Sequence, residues 1–150
     1  MRRGEMEIRW TRTFDAGHRI WQHNEKCRFL HGHSYRVSIV ARGSLNAWGM
    51  VVDFGDLKKI IVDRFDHKVI LFKGDPLVPH LLAGGQKVVL LDRNPTAENL
   101  AVACASLVLS GVENLDEVEA EVFETVNQSG FCRMNRGNLE IVSLEEPPQS

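Results

Sequence analysis

The sequence predicts an α+β domain, an antiparallel sheet with two helices laid on one face, from three observations. Apolar and polar residues alternate over 7–18, from 31 onward and over 117–125, the two-residue period of strands with one buried face. Over 53–65 and 94–111 apolar residues recur instead at helical spacing. With 150 residues, 43% of them hydrophobic and 25% charged, the chain has the size and composition of one domain that buries its own core.

In "EIRWTRTFDAGH", Ile8, Trp10, Phe14, Ala16 and His18 share one parity, interrupted by Arg12. The next strand starts near His31, where His31, His33, Tyr35, Val37 and Ile39 again share a face. After the turn-rich "GSLNAWGM", Asp53 is placed to cap a helix whose Leu57, Ile60, Ile61 and Phe65 form its buried stripe. "KVILF" and "KVVLL" read as two short strands around "KGDPLVPHLLAGGQ", which is either a long connection or an irregular helical turn. The second helix is expected to use Asn94 as cap and Pro95 as first residue, bury Leu100, Ala103, Cys104 and Leu107, and stop at Gly111. Val118, Ala120 and Val122 then alternate with Glu117, Glu119 and Glu121, and "GNLEIVSL" is expected to pair with that strand across "NQSGFCRMNR". The Pro- and Glu-containing end, 145–150, reads as a flexible tail, which makes 1–144 the domain.

A net charge of −2 and a pI near 6.3 argue against a dedicated nucleic-acid binder and favour a small-molecule partner. The apolar runs are too short to span a membrane, and "MRRGEMEIRW" has two arginines with no apolar core behind them, so a cytoplasmic protein is expected. Three cysteines without paired spacing fit free thiols in a reducing compartment.

His18, His31 and His33, supplied by two inward strand faces, suit a tetrahedral zinc site with an open fourth position; the alternative is core or surface histidines hydrogen-bonded to backbone. Three uses are open to Cys27: a base whose thiolate Lys26 and Arg28 would favour, a fourth ligand closing the site, or a small buried residue. Cys104, on a helical stripe, reads as core. Asp66 beside His67 can orient an imidazole for acid–base work or simply end a helix. Glu124 shares the parity of Val122, so a strand that runs that far aims its carboxylate inward, toward a donor-rich ligand; a strand that stops sooner leaves it solvated. Asp53 and Glu98, at helix starts, need only capping and dipole roles.

Taken in order, "FDAGHR", "CRFLHGHSY", "GMVVDFGDLK", "FDHK", "NPTAENLA" and "FET" resemble the 6-pyruvoyltetrahydropterin and 6-carboxytetrahydropterin synthase family along most of the chain. The resemblance implies the tunnelling fold (T-fold), a four-stranded antiparallel sheet with two helices whose subunits assemble into barrels, here a homo-oligomer (a hexamer) with active sites between neighbours. It implies zinc on His18, His31 and His33, Cys27 as base, Asp66 and His67 as a relay from a different subunit, and Glu124 as anchor of the pterin ring. Three residues between Cys27 and His31, as in the carboxy-producing members, imply conversion of 7,8-dihydroneopterin triphosphate to 6-carboxytetrahydropterin in queuosine or deazapurine synthesis. The alternatives are a pyruvoyl-producing or dihydroneopterin-cleaving lyase and a non-catalytic pterin-binding or purely structural assembly. Charge alone nominates Lys26, Arg28 and Arg133 for the triphosphate. The segment over 71–93 is longer than the family's usual link, and the chain continues well past "FET".

Overall fold

Two long strands of alternating polarity start the fold. In the computed structural model, which describes residues 4–148, β1 (Glu7–His18) and β2 (His31–Gly43) pair antiparallel, from Glu7 opposite Arg42 to His18 opposite His31. Their common face buries Trp10, Phe14, Ala16, Tyr35, Val37 and Ile39 and ends in His18. Arg12 stays exposed, its guanidinium 5.7 Å from the Trp10 ring.

β5 (Leu115–Thr125) and β6 (Gln128–Asn135) continue the sheet antiparallel beside β2. Beyond β1, β3 (Lys68–Phe72) and β4 (Val88–Leu91) add in parallel, and β7 (Leu144–Glu145) pairs antiparallel with β4. Among the described residues the order is β6-β5-β2-β1-β3-β4-β7. An antiparallel four-stranded unit is therefore widened by a parallel pair and a short closing strand.

Residues 137–144 do not pair with β5, contrary to the expectation from sequence. A two-residue turn after Thr125 returns the chain at once, so 128–135 takes that place, with Gly130 and Met134 buried. Leu144 and Glu145 pair instead with Leu91 and Leu90, so the segment read as a tail begins inside a strand. Glu146 follows with an ion pair to Lys68 at 3.0 Å, and residues 149–150 of that tail lie outside the described residues.

The first helix, α1 (54–65), starts where expected: Asp53 Oδ1 accepts the Gly55 N–H at 2.7 Å. It is α-helical over Phe54–Leu57, widens into a π turn over Lys58–Val62 and returns to α over Asp63–Phe65, burying Leu57, Ile61 and Phe65. A short helix, α2 (Val78–Ala83), fills the connection between β3 and β4. The last helix, α3 (Ala97–Gly111), begins later than predicted: Thr96, not Asn94, is its cap, accepting the Asn99 N–H at 3.1 Å. Asn94 is occupied elsewhere, bonded to both backbone groups of Trp21.

β3 and β4 are buried on both faces. Ile70, Val89 and Leu91 face the main core under α1 and α3, while Val69, Leu71, Val88 and Leu90 form a second, smaller core with Leu77, Val78 and Leu81. That explains their unbroken apolar runs, as in other parallel strands covered twice. Among the described residues no helix is long and apolar enough to cross a membrane.

Gly130 marks the closest approach of β6 to α3. A Cβ there would lie 2.5 Å from both Ala97 C and Glu98 N, backbone atoms that cannot yield without moving the helix start. Gly130→Ala is expected to cost about 2–3 kcal/mol, read as a lower urea midpoint at unchanged m; an unchanged midpoint would refute the contact.

Candidate metal centre and active site

The register that places His18 opposite His31 also brings His33, two residues along the same face, into the cluster. The ligand-capable atoms of the three imidazoles lie within 4.8 Å of one another, and His18 is 2% exposed. Two rings are oriented by carbonyls: His18 Nδ1 is 2.8 Å from Pro95 O and His31 Nδ1 is 2.7 Å from Phe29 O. A carbonyl only accepts, so each Nδ1 carries the proton and each Nε2 of a neutral ring a lone pair. Those two Nε2 atoms are 3.2 Å apart. His33 Nε2 is buried without a hydrogen-bond partner.

Two facing lone pairs and an orphaned ring nitrogen are a donor set short of an electrophile. A tetrahedral ion with metal–nitrogen bonds of about 2.0–2.1 Å spaces its ligands about 3.3 Å apart, close to the His18–His31 separation. The three residues therefore fit a metal ion. Burial pushes the His18 imidazole down to about 4, against its hydrogen bond to Pro95 and with help from the neighbouring rings, and burial also lowers His33. Both are thus held neutral, the form that ligates.

The same shift has a stability consequence for the metal-free protein. Between the ordinary imidazole value of 6.5 and about 4, the unfolded chain takes a proton that folded His18 refuses. Stability should therefore hold above pH 6.5 and decline as pH falls from 6.5 toward about 4, levelling off below that. Urea midpoints of chelator-treated protein from pH 7.5 to 4 should fall less steeply in His18→Gln than in the parent; equal slopes would contradict this.

Glu124 reaches the cluster because the β5–β6 ladder bulges there: Phe123 faces Ser129 and Thr125 faces Gln128, leaving Glu124 as the extra residue. Its Oε1 lies 3.9 Å from His18 Nε2, and its side chain is 24% exposed, so one carboxylate edge borders the cluster while the other meets solvent. Tyr35, fully buried, lies beneath it with ring centroids 5.7 Å from His18 and 5.4 Å from His33. Its phenol is pushed up by burial and by Glu124.

Cys27 stands outside the histidine cluster, in a single 3₁₀ turn (Lys26–Arg28) before β2, half-buried. Asp66 and His67 are not brought to the cluster within one chain. They form a corner stapled to Asp15, a residue of β1 on the opposite parity to His18. Asp15 N–H donates to Asp66 Oδ1 at 2.9 Å and His67 N–H to Asp15 O at 2.7 Å. The Asp15 amide, followed by His67, holds the Asp66 carboxyl below the usual carboxylate range. His67 Nδ1 lies 3.1 Å from Asp66 Oδ2, and its φ of 59° is the left-handed region that a histidine rarely occupies. The exposed imidazole looks over a depression lined by Asp15, Ser34, His67, Lys68 and Gln86.

Arg133 lies on β6 opposite Glu119, bonded to that carboxylate at 2.8 Å and near Glu117 at 3.4 Å. Lys26 and Arg28 are exposed beside Cys27, with Arg28 stacked 4.8 Å from the Phe29 ring. The carbonyls of Pro95 and Phe29 and the bridging role of Asp15 leave no residue-type signal, since all act through backbone atoms and the Asp15 contact spans 51 residues.

Residues 7–135 match the family model described as 6-pyruvoyl tetrahydropterin synthase. The chain belongs to that family. Among tetrahydropterin synthase relatives, a Rickettsia conorii protein named 6-carboxy-5,6,7,8-tetrahydropterin synthase is 40% identical over 124 residues, 76% of this chain and 90% of its own. A Rickettsia bellii protein of the same name is 50% identical over 96 residues, 59% of this chain and 70% of its own. A Plasmodium vivax 6-pyruvoyltetrahydropterin synthase, solved as a catalytic residue mutant, superposes with a TM-score of 0.67 at 18% identity, covering 89% of this chain and 99% of its own. The Caenorhabditis elegans 6-pyruvoyl tetrahydropterin synthase does so at 0.61 and 22%, covering 90% and 99%. These neighbours fix the fold as the expected T-fold.

Proposed function

We propose that this chain is a zinc-dependent 6-carboxy-5,6,7,8-tetrahydropterin synthase, a lyase that converts 7,8-dihydroneopterin triphosphate to 6-carboxytetrahydropterin, acetaldehyde and triphosphate. The observation that carries the reading is the trio of imidazoles, their ligand-capable atoms within 4.8 Å of one another beside an inward carboxylate, in a chain whose relatives bear that name. The three residues between Cys27 and His31 support the carboxy product over the pyruvoyl one.

His18, His31 and His33 would hold zinc through Nε2. Bound there, the ion supplies Lewis-acid polarisation of substrate oxygens. Cys27, as thiolate, would take a carbon-bound proton from the substrate side chain. His67, oriented through Nδ1 by Asp66, has Nε2 left to return a proton. Glu124 would accept hydrogen bonds from the pterin amino group and ring N–H, a charge-assisted pair that offsets its partial burial. Lys26 and Arg28, exposed beside Cys27, would meet the triphosphate.

Cys27 and the Asp66–His67 corner would complete one site only between subunits, so the active species is proposed to be a homo-oligomer, a hexamer as in the family. Exposed Phe29, Trp48, Met50, Phe54 and Phe131 support such contacts. The setting proposed is cytoplasmic queuosine or deazapurine synthesis. Mass spectrometry of products from zinc-loaded protein and 7,8-dihydroneopterin triphosphate, with acetaldehyde assayed in parallel, tests the reading. A 6-carboxy product with acetaldehyde is expected; a 6-pyruvoyl product, or no turnover with zinc bound, overturns it.

A further inference from the structure

We propose that Arg19 and Asp75 are positioning residues: their ion pair fastens the Cys27 loop to the β3–α2–β4 unit and so sets where the thiol stands. The inference rests on the proposed role of Cys27 as base.

The loop over 19–30 has an exposed tip, with residues 22–26 all open to solvent. Bonds within the tip are local, His23 N–H to Ile20 O at 3.2 Å and Glu25 N–H to His23 Nδ1 at 3.0 Å. The turn carrying Cys27 is closed by Arg28 N–H to Glu25 O at 3.2 Å and Phe29 N–H to Lys26 O at 3.0 Å, and it is tied to the start of the loop by the Ile20 N–H, which donates to the Cys27 carbonyl at 2.8 Å. Both neighbours of Ile20 are fixed from outside the loop.

On one side, Arg19 forks onto Asp75, Nε donating to Oδ2 at 2.8 Å and a terminal nitrogen to Oδ1. Asp75 is 2% exposed, and its Oδ1 also accepts the Leu77 N–H at 2.8 Å, tying the carboxylate to the lead-in of α2. On the other side, Trp21 donates its N–H to Asn94 Oδ1 at 3.1 Å and accepts from Asn94 Nδ2 at 3.2 Å. The Trp21 ring stacks on Phe72 of β3 at 5.7 Å and 19°. Residues 19–21 are therefore a rigid platform, and Cys27 hangs from its centre.

A buried ion pair is weak evidence for stability, because desolvation offsets its attraction; fixing geometry is its better-attested use. The bidentate fork suits that use, since it fixes orientation as well as distance. The long segment over 71–93 thereby gains a role: it supplies the buried carboxylate and the stacking ring that the platform rests on.

The test is the Arg19→Gln/Asp75→Asn double variant of the full zinc-loaded chain, which removes both charges and leaves neither one buried alone. Expected are unchanged zinc content and melting temperature, KM within about threefold, kcat lower by about tenfold or more, and a Cys27 alkylation rate by iodoacetamide altered by about threefold or more. Peptide mass spectrometry reads that rate, with Cys132 as internal reference. Arg19→Lys, which keeps the charge and loses the fork, should recover part of kcat. A parental kcat, a parental Cys27 alkylation rate, or a kcat loss accompanied by loss of zinc or of melting temperature overturns the proposal. If the parent chain itself lacks turnover, the functional reading fails separately, and the alkylation rate alone decides: altered supports the clamp, unaltered overturns it.

Discussion

Cys27→Ala should lower kcat by about 10²- to 10⁴-fold, the span of a positioned base, while one zinc per chain is retained. The retention separates the readings of this cysteine. A base can be deleted without disturbing the metal, whereas a fourth ligand cannot, and Cys27 stands outside the histidine cluster. Metal analysis after dialysis, paired with product formation, checks both halves. Loss of zinc along with activity would make the site closed and structural, and the catalytic proposal would fall. Cys27→Ser should recover little, because a serine hydroxyl is a far poorer proton acceptor at neutral pH than a thiolate.

His33→Ala should abolish both metal retention and turnover. His33 is chosen because its Nε2 has no other partner: no hydrogen bond is lost with it, so folding should suffer less than in His18→Ala, which also frees the Pro95 carbonyl. The expected signature is an apo protein that melts near the chelated parent and binds added zinc with an affinity lower by orders of magnitude. Tight zinc binding by His33→Ala, followed by competition with a chromophoric chelator, would remove His33 from the ligand set.

The histidine trio was legible in the sequence because a two-residue period is enough to place His31 and His33 on one side and His18 on an apolar face. Glu124 was legible only in part. Alternation aims it inward, but the bulge that leaves it unpaired depends on how β6 meets β5. The partner of β5 was misplaced because "GNLEIVSL" has the stronger alternation, whereas Gln128–Asn135 forms a strand through its turn and through Gly130 fitting under α3. At the start of α3, the Asn94–Pro95 pair satisfied every local rule for a cap. Thr96 prevailed because the Asn94 side chain is engaged with Trp21, 73 residues away in the chain. Asp75 was illegible for the same reason: nothing local marks a carboxylate whose partner lies 56 residues earlier.

The metal centre and the thiol differ in how they would tolerate genetic change. His18 and His31 are oriented by the carbonyls of Pro95 and Phe29, atoms that every amino acid possesses. Substituting either of those residues alters a side chain but leaves an acceptor in place, so the ring orientations are buffered against drift in the sequence around them. Cys27 has no such insurance. Its placement runs through the side chains of Arg19, Asp75, Asn94, Trp21 and Phe72, any of which a single codon change can remove. Variants that lose activity while keeping a full complement of metal should therefore be commoner than the reverse.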